Sequence, residues 1–159
     1  MRAYLSGGME HAPNHGASWR KELEEWIRSH LGHEVFNPNV ESERYFAALG
    51  IDDEYFRKLK FEDIDRYKAI ASGLVELDMN EIAHRTDYLI CLWDESAQRG
   101  AGTKGELSIA KFFGKPVFMV MAHRAPLNEI PGWVLGCTTR IFRSFDELKE
   151  FLLTLEGGA

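Results

Sequence analysis

Residues 87–94 read DYLICLWD, and this stretch constrains the fold more than any other. Its apolar residues follow one another without a break, so no polar face is left for water. A strand with one wet face alternates apolar and polar residues, whereas an unbroken run needs cover on both sides. The run therefore predicts a central strand of a parallel sheet, with helices above and below.

The flanking sequence supplies the rest of such a sheet. AYL (3–5) is a short apolar run ended by the turn SGGM, which predicts a buried strand. Over 17–31, Trp19, Leu23, Trp26, Ile27 and Leu31 share one helical face, and Gly32 supplies the stop. EVFNP (34–38) reads as a second short strand, broken by Pro38. Residues 41–70 are charged and aromatic and predict a helical insertion that covers a site. A helix over 74–85 leads into the central run. Helix 104–113, strand PVFMVMA (116–122), a short strand near Arg140–Phe142 and a helix over 145–155 follow. The last helix opens with a Ser144–Glu147 capping box. Five strands separated by helices predict an α/β fold: a doubly wound, flavodoxin-like parallel sheet of order 2-1-3-4-5. The chain has 159 residues, 45% of them hydrophobic, which suits a single domain spanning 1–159.

Charge and composition narrow the function. A net charge of −6 argues against a broad basic surface, so no nucleic-acid polymer is expected as partner. Cys91 and Cys137 lack metal-ligand spacing and read as buried free thiols of a reducing, cytoplasmic compartment. There is no apolar run for a membrane span, and MRAYLSGGM does not read as a signal peptide. His11 and His15 are four apart, but Pro13 and Gly16 break the helix that a metal pair would use, so no metal is expected. No G-x-G-x-x-G or Walker-type loop is present, and no cofactor is expected. Trp93 and Trp133 read as buried core residues before stacking platforms. Ser6 has no visible base partner.

In a sheet of this order, ligands sit beyond the carboxyl ends of the first and third strands. The turn YLSGGM then faces DESAQRGAGTKGE. That places Tyr4, Ser6, Gly7 and Gly8 opposite Asp94, Gly102, Thr103 and Glu106 across one crevice. Thr103-Lys-Gly-Glu106 fits a helix capping box, which is one reading of Glu106. The other is a reagent. A carboxylate at a helix N-terminus is expected to keep a low pKa, and such a charge in a closed crevice attacks cationic carbon, as at a sugar's anomeric centre. Retaining glycosidases pair that nucleophile with a second carboxyl group. Asp78, among Leu74, Leu77, Ile82 and Ala83, is the candidate, as a partly buried acid of raised pKa. Its alternative is a solvated helix residue.

The ordered set YLSGGM, ELDMNEIAHRTDYLICLW, GAGTKGELSIAKFFGKPV and PLNEIPGWVLG resembles the nucleoside 2-deoxyribosyltransferase family, which includes the related 2-deoxynucleoside 5-phosphate N-hydrolases. The resemblance covers residues 1–9 and roughly 74–136. It implies that Glu106 attacks C1′ and forms a glycosyl ester, that Tyr4 orients it, and that Asp78 handles the proton at the leaving base. It implies that Asn128 reaches a neighbouring subunit's site, so that the protein is a homo-oligomer acting on a small nucleoside or nucleotide. Two departures bear on the substrate. Gly100 stands where the transferases carry an Asp for the sugar 5′-hydroxyl. Gly8-Met9-Glu10 stands where the hydrolases grip a 5′-phosphate, and Glu10 would repel one. The balance favours an uncharged nucleoside, with a nucleotide hydrolase or a non-catalytic binding module as alternatives.

Overall fold

The computed structural model describes residues 1–121 and 126–156. The strands are β1 (Arg2–Gly7), β2 (Glu34–Phe36), β3 (Tyr88–Trp93), β4 (Val117–Met121) and β5 (Arg140–Phe142). They form one all-parallel sheet in the order β2-β1-β3-β4-β5. Every residue of β3 is buried, as its unbroken apolar run requires.

Period-two alternation splits the core into two layers. Leu89, Cys91 and Trp93 of β3 point to one face, with Tyr4, Met119 and Met121. That face is covered by α4 (Ile64–His84), α6 (Gly102–Phe112) and α7 (Gly132–Cys137), through Ile82, Leu107, Ala110, Val134 and Cys137. Tyr88, Ile90 and Leu92 point to the other face, with Ala3, Leu5, Phe118 and Val120. There α1 (Ala17–Leu31) and α8 (Phe145–Glu156) supply Leu23, Ile27, Leu148 and Leu152. Helices on both faces make the sheet doubly wound. The parity matters below: on β1, Tyr4 and Ser6 share the α4/α6 side, while Leu5 faces α1. Gly7 also faces α1, because a Cβ there would meet Trp19 and Arg20.

The connection from β2 to β3 is helical, as expected of the insertion over 41–70, but its helices divide differently. It holds α2 (Pro38–Ala48), α3 (Asp53–Glu62) and α4, so the helix expected over 74–85 begins at Ile64 instead. Side-chain caps explain these bounds. Asn37 accepts from the Asn39 N–H, Asp52 from Tyr55 and Asp63 from Arg66. Phe46, Phe56 and Tyr67 form the insertion's own aromatic cluster, with ring centroids 4.9 and 4.6 Å apart. A short helix, α5 (Glu95–Arg99), precedes α6, and neither it nor α7 was expected. The expected strand residue Ala122 lies outside the described residues.

At α8 the capping pattern is met in part. The Ser144 hydroxyl accepts from the Glu147 N–H, and the Glu147 carboxylate accepts from the Arg143 N–H. At α6 it is not met. The N-cap position falls on Ala101 and no side chain caps the helix. Glu106 therefore lies more than a turn inside α6, and its carboxylate turns toward the sheet.

Candidate active site

The carboxyl end of β1 presents two hydroxyls on one face. Tyr4 and Ser6 are both fully buried, two residues apart, and so project in parallel. Each meets one oxygen of Glu106. The Tyr4 hydroxyl donates to Oε1 at 3.0 Å, and the Ser6 hydroxyl donates to Oε2 at 2.5 Å. Ser6 thus has a carboxylate partner that spacing along the chain did not reveal. The Tyr4 ring is held by stacking on Phe36, centroids 5.1 Å apart.

Burial pushes the Glu106 carboxyl above its usual range, and Ser6, the nearby Arg20 charge and Tyr4 pull it back in part. This corrects the expectation of a low pKa. The helix dipole acts within the first turn, and Glu106 lies beyond it, so desolvation wins. Tyr4 is itself pushed well above the usual phenol range, by burial and then by the Glu106 charge, and stays a neutral donor.

Asp78 approaches from α4. Its pKa is raised to about 7, first by burial and then by the Glu106 charge, with a Tyr4 hydrogen bond acting in the opposite sense. Two carboxyl groups in one low-dielectric crevice resist ionising together. The arrangement favours one carboxylate and one carboxylic acid near neutral pH. Cys91, paired in register with Ser6, lies under the same cluster, and its thiol is pushed up by burial and by Glu106.

The other sequence-derived candidates do different work. Gly8 must be glycine because a Cβ there would collide with the Ser96 side chain, which brings the β1 turn tight against α5. Asp94 caps α5: its carboxylate accepts from the Ala97 N–H at 2.8 Å and from the Ser96 hydroxyl at 2.5 Å. Thr103 is buried within α6, Gly102 is exposed at its first turn, and Asn128 is exposed in a short turn over Leu127–Glu129. The structure brings Tyr4, Ser6, Asp78 and Glu106 together, with Gly7 and Gly8 on the same turn. Trp93 is buried as expected, whereas Trp133 is 73% exposed and donates to Ser108 at 2.8 Å. The His15 ring is taken up by Arg57 and Asp53. Among the described residues no helix is long and apolar enough to cross a membrane.

One participant was missed. Arg20 is fully buried behind β1, where its charge acts on Glu106. The signal was available: Arg20 precedes Leu23 by three positions and Ile27 by seven, which places it on the apolar face of α1.

No protein-family model matches the chain, and no curated protein does. Among solved structures, the chain is similar to the CMP N-glycosidase BcmB of Clostridium botulinum. The TM-score is 0.51 at 15% sequence identity, covering 96% of this chain and 98% of that one. The likeness is one of fold.

Proposed function

We propose that the chain cleaves the N-glycosidic bond of a nucleoside, with Glu106 as nucleophile and Asp78 as the acid–base partner. The observation that carries this reading is the grip of two buried hydroxyls on the two oxygens of one carboxylate, with a second carboxyl group of raised pKa on the facing helix. The fold's likeness to a CMP N-glycosidase supports it.

In the first step, a Glu106 oxygen forms a bond to C1′ while the bond from C1′ to the base nitrogen breaks. The electron pair of that bond leaves with the base, and Asp78 gives it a proton. Tyr4 and Ser6 fix both oxygens, so one lone pair is aimed before the sugar arrives. Forming the ester removes the Glu106 charge. That charge is part of what raises the Asp78 pKa, so Asp78 becomes a stronger acid as the bond to the base stretches. In the second step, water or another base attacks C1′ and the ester bond breaks. Asp78, now a carboxylate, takes the incoming proton, and Glu106 returns ionised.

One observation favours a 5′-monophosphate as an alternative substrate. Glu10, placed to repel a phosphate, is ion-paired to Lys60 of α3 at 2.7 Å, which holds its carboxyl below the usual range. The first turn is therefore less hostile to an anion than its sequence suggests.

Incubation with nucleosides, deoxynucleosides and their monophosphates, with and without free base, separates the readings by chromatography. Free-base release or base exchange that disappears in Glu106→Gln supports the enzyme. Tight binding of an unaltered ligand by the native protein would leave a binding module instead.

A further inference from the structure

Arg20 and Glu81 are the buried charged residues of the described chain. Glu81 has a cationic partner in Arg2. Arg20 makes no ion pair among the described residues, and its guanidinium is spent on main-chain carbonyls. Nε donates to Leu5 O at 3.0 Å and Nη2 to Gly7 O at 2.8 Å. Nη1 donates to His15 O at 3.0 Å and to Gly16 O at 3.2 Å. Its plane lies over the Trp19 ring, 4.7 Å from the centroid.

Two features make this more than a packing solution. Leu5 and Gly7 flank Ser6, the donor to Glu106, so Arg20 clamps the strand on both sides of that hydroxyl. Asn14, His15 and Gly16 take left-handed backbone in succession, with φ of 48°, 52° and 67°. Left-handed geometry is unfavourable for a non-glycine residue. Arg20 and the Asn39 amide, 3.0 Å from His15 O, hold the loop there. Burying an uncompensated charge is costly, and carbonyl dipoles offset the cost in part. The remaining compensation is a negative charge in the crevice. Among the charges that favour the Arg20 cation, Glu106 comes first.

We infer that Arg20 is a positioning residue for Glu106: from the far side of β1 it clamps the carbonyls around Ser6 and sets a fixed positive charge behind the carboxylate. This rests on the reading of Glu106 as nucleophile. Arg20 touches neither substrate nor reacting atoms. Its effect passes through the Ser6 turn and through its field. The groups that share that field are Tyr4 and Ser6 on β1, Asp78 on α4, Cys91 on β3 and Asp94 at its end.

The test is a titration that does not depend on turnover. Glutamate side-chain carboxyls carrying 13C are followed by NMR against pH, and the Glu106 resonance is assigned by its absence in Glu106→Gln. In Arg20→Met, which keeps the length and loses the charge, the Glu106 midpoint rises by about one pH unit, the lower end of what a nearby opposite charge supplies. In Arg20→Lys the charge stays but the fork is lost. The midpoint then stays within about 0.3 unit of the native value, well under that charge effect, while base release slows about tenfold at unchanged KM, as expected for lost orientation. A folded Arg20→Met with an unmoved midpoint overturns the inference. Should Arg20→Met fail to fold, Arg20→Lys decides: native turnover and midpoint overturn it, and slowed turnover at the native midpoint supports it. If no substrate turns over even in the native protein, the proposed reaction fails while the titration still judges Arg20.

Discussion

The two ends of β1 each hold a carboxylate against the sheet, Glu81 buried and Glu106 half-buried, and they treat it in opposite ways. At the amino end, Glu81 is 4% exposed and takes an ion pair from Arg2. Arg2 also bonds Glu34 at 2.7 Å, and its N–H bonds Asp87 at 2.6 Å. At the carboxyl end, the Glu106 carboxylate accepts from the neutral O–H groups of Tyr4 and Ser6, and Arg20, whose charge acts on it, stands behind the strand. A directly paired carboxylate has its lone pairs committed to a cation. One held by two hydroxyls is oriented but still available to an electrophile. The fold thus builds a strut and a reagent from the same residue type, and the donor set decides which is which.

The largest effect is expected from neutralising the reagent. Glu106→Gln keeps the shape and loses the nucleophile, so base release should fall about 10⁴-fold or more. The melting temperature should not fall, since a desolvated charge is removed. A variant that unfolds instead would make Glu106 a second strut.

Next comes the partner acid. Asp78→Asn removes the proton donor, and base release should drop about 10²–10³-fold. In the native protein the rate should fall as pH rises through about 7, where Asp78 loses its proton. That limb should vanish in the variant. Stability carries a linked signature. The folded-state pKa of about 7 lies above the ordinary 3.8, so between those values the folded chain holds a proton that the unfolded chain has lost. Native stability therefore declines as pH rises across that window. Asp78→Asn should be more stable at pH 8 by on the order of 2 kcal/mol, after discounting for residual solvent screening, with the gain gone below about pH 4. Urea titrations at both pH values check this.

Breaking the strut reverses the pattern. Arg2→Met leaves Glu81 buried without its cation and should cost about 3 kcal/mol in urea unfolding. Activity per folded molecule should not change. A matching loss of kcat would mean that the two ends are coupled and the contrast is false.

The smallest effect should come from Tyr4→Phe, which removes one of the two donors and keeps the stack on Phe36. A fall in kcat of about tenfold, with the acidic limb of its pH profile shifted upward, matches the loss of one hydrogen bond to a charged group.

Much of this architecture was legible because the periods are clean. The unbroken run 88–93 demanded two covered faces, and the apolar stripe of α1 marked its bounds at Ala17 and Leu31. The pairing of Tyr4 with Glu106 followed from the resemblance and the sheet order. Other parts were not legible, for physical reasons. The Thr103–Glu106 pattern imitates a cap, but capping depends on where the helix starts, and it starts at Gly102. α5 and α7 are too short to show a period. Arg20 was passed over because arginine is almost never fully buried unless paired. Here four carbonyls stand in for the missing carboxylate.

The opposed facing of neighbouring residues on β1 has a further consequence. Sliding this strand by a single position would send both hydroxyls into the layer under α1 and thrust Leu5 at the reagent. The error could not stay hidden, because the same slip would unseat the hydrophobic contacts that keep the molecule folded. Assembly of the sheet therefore inspects the chemistry: a chain that has closed its core has already aimed its carboxylate.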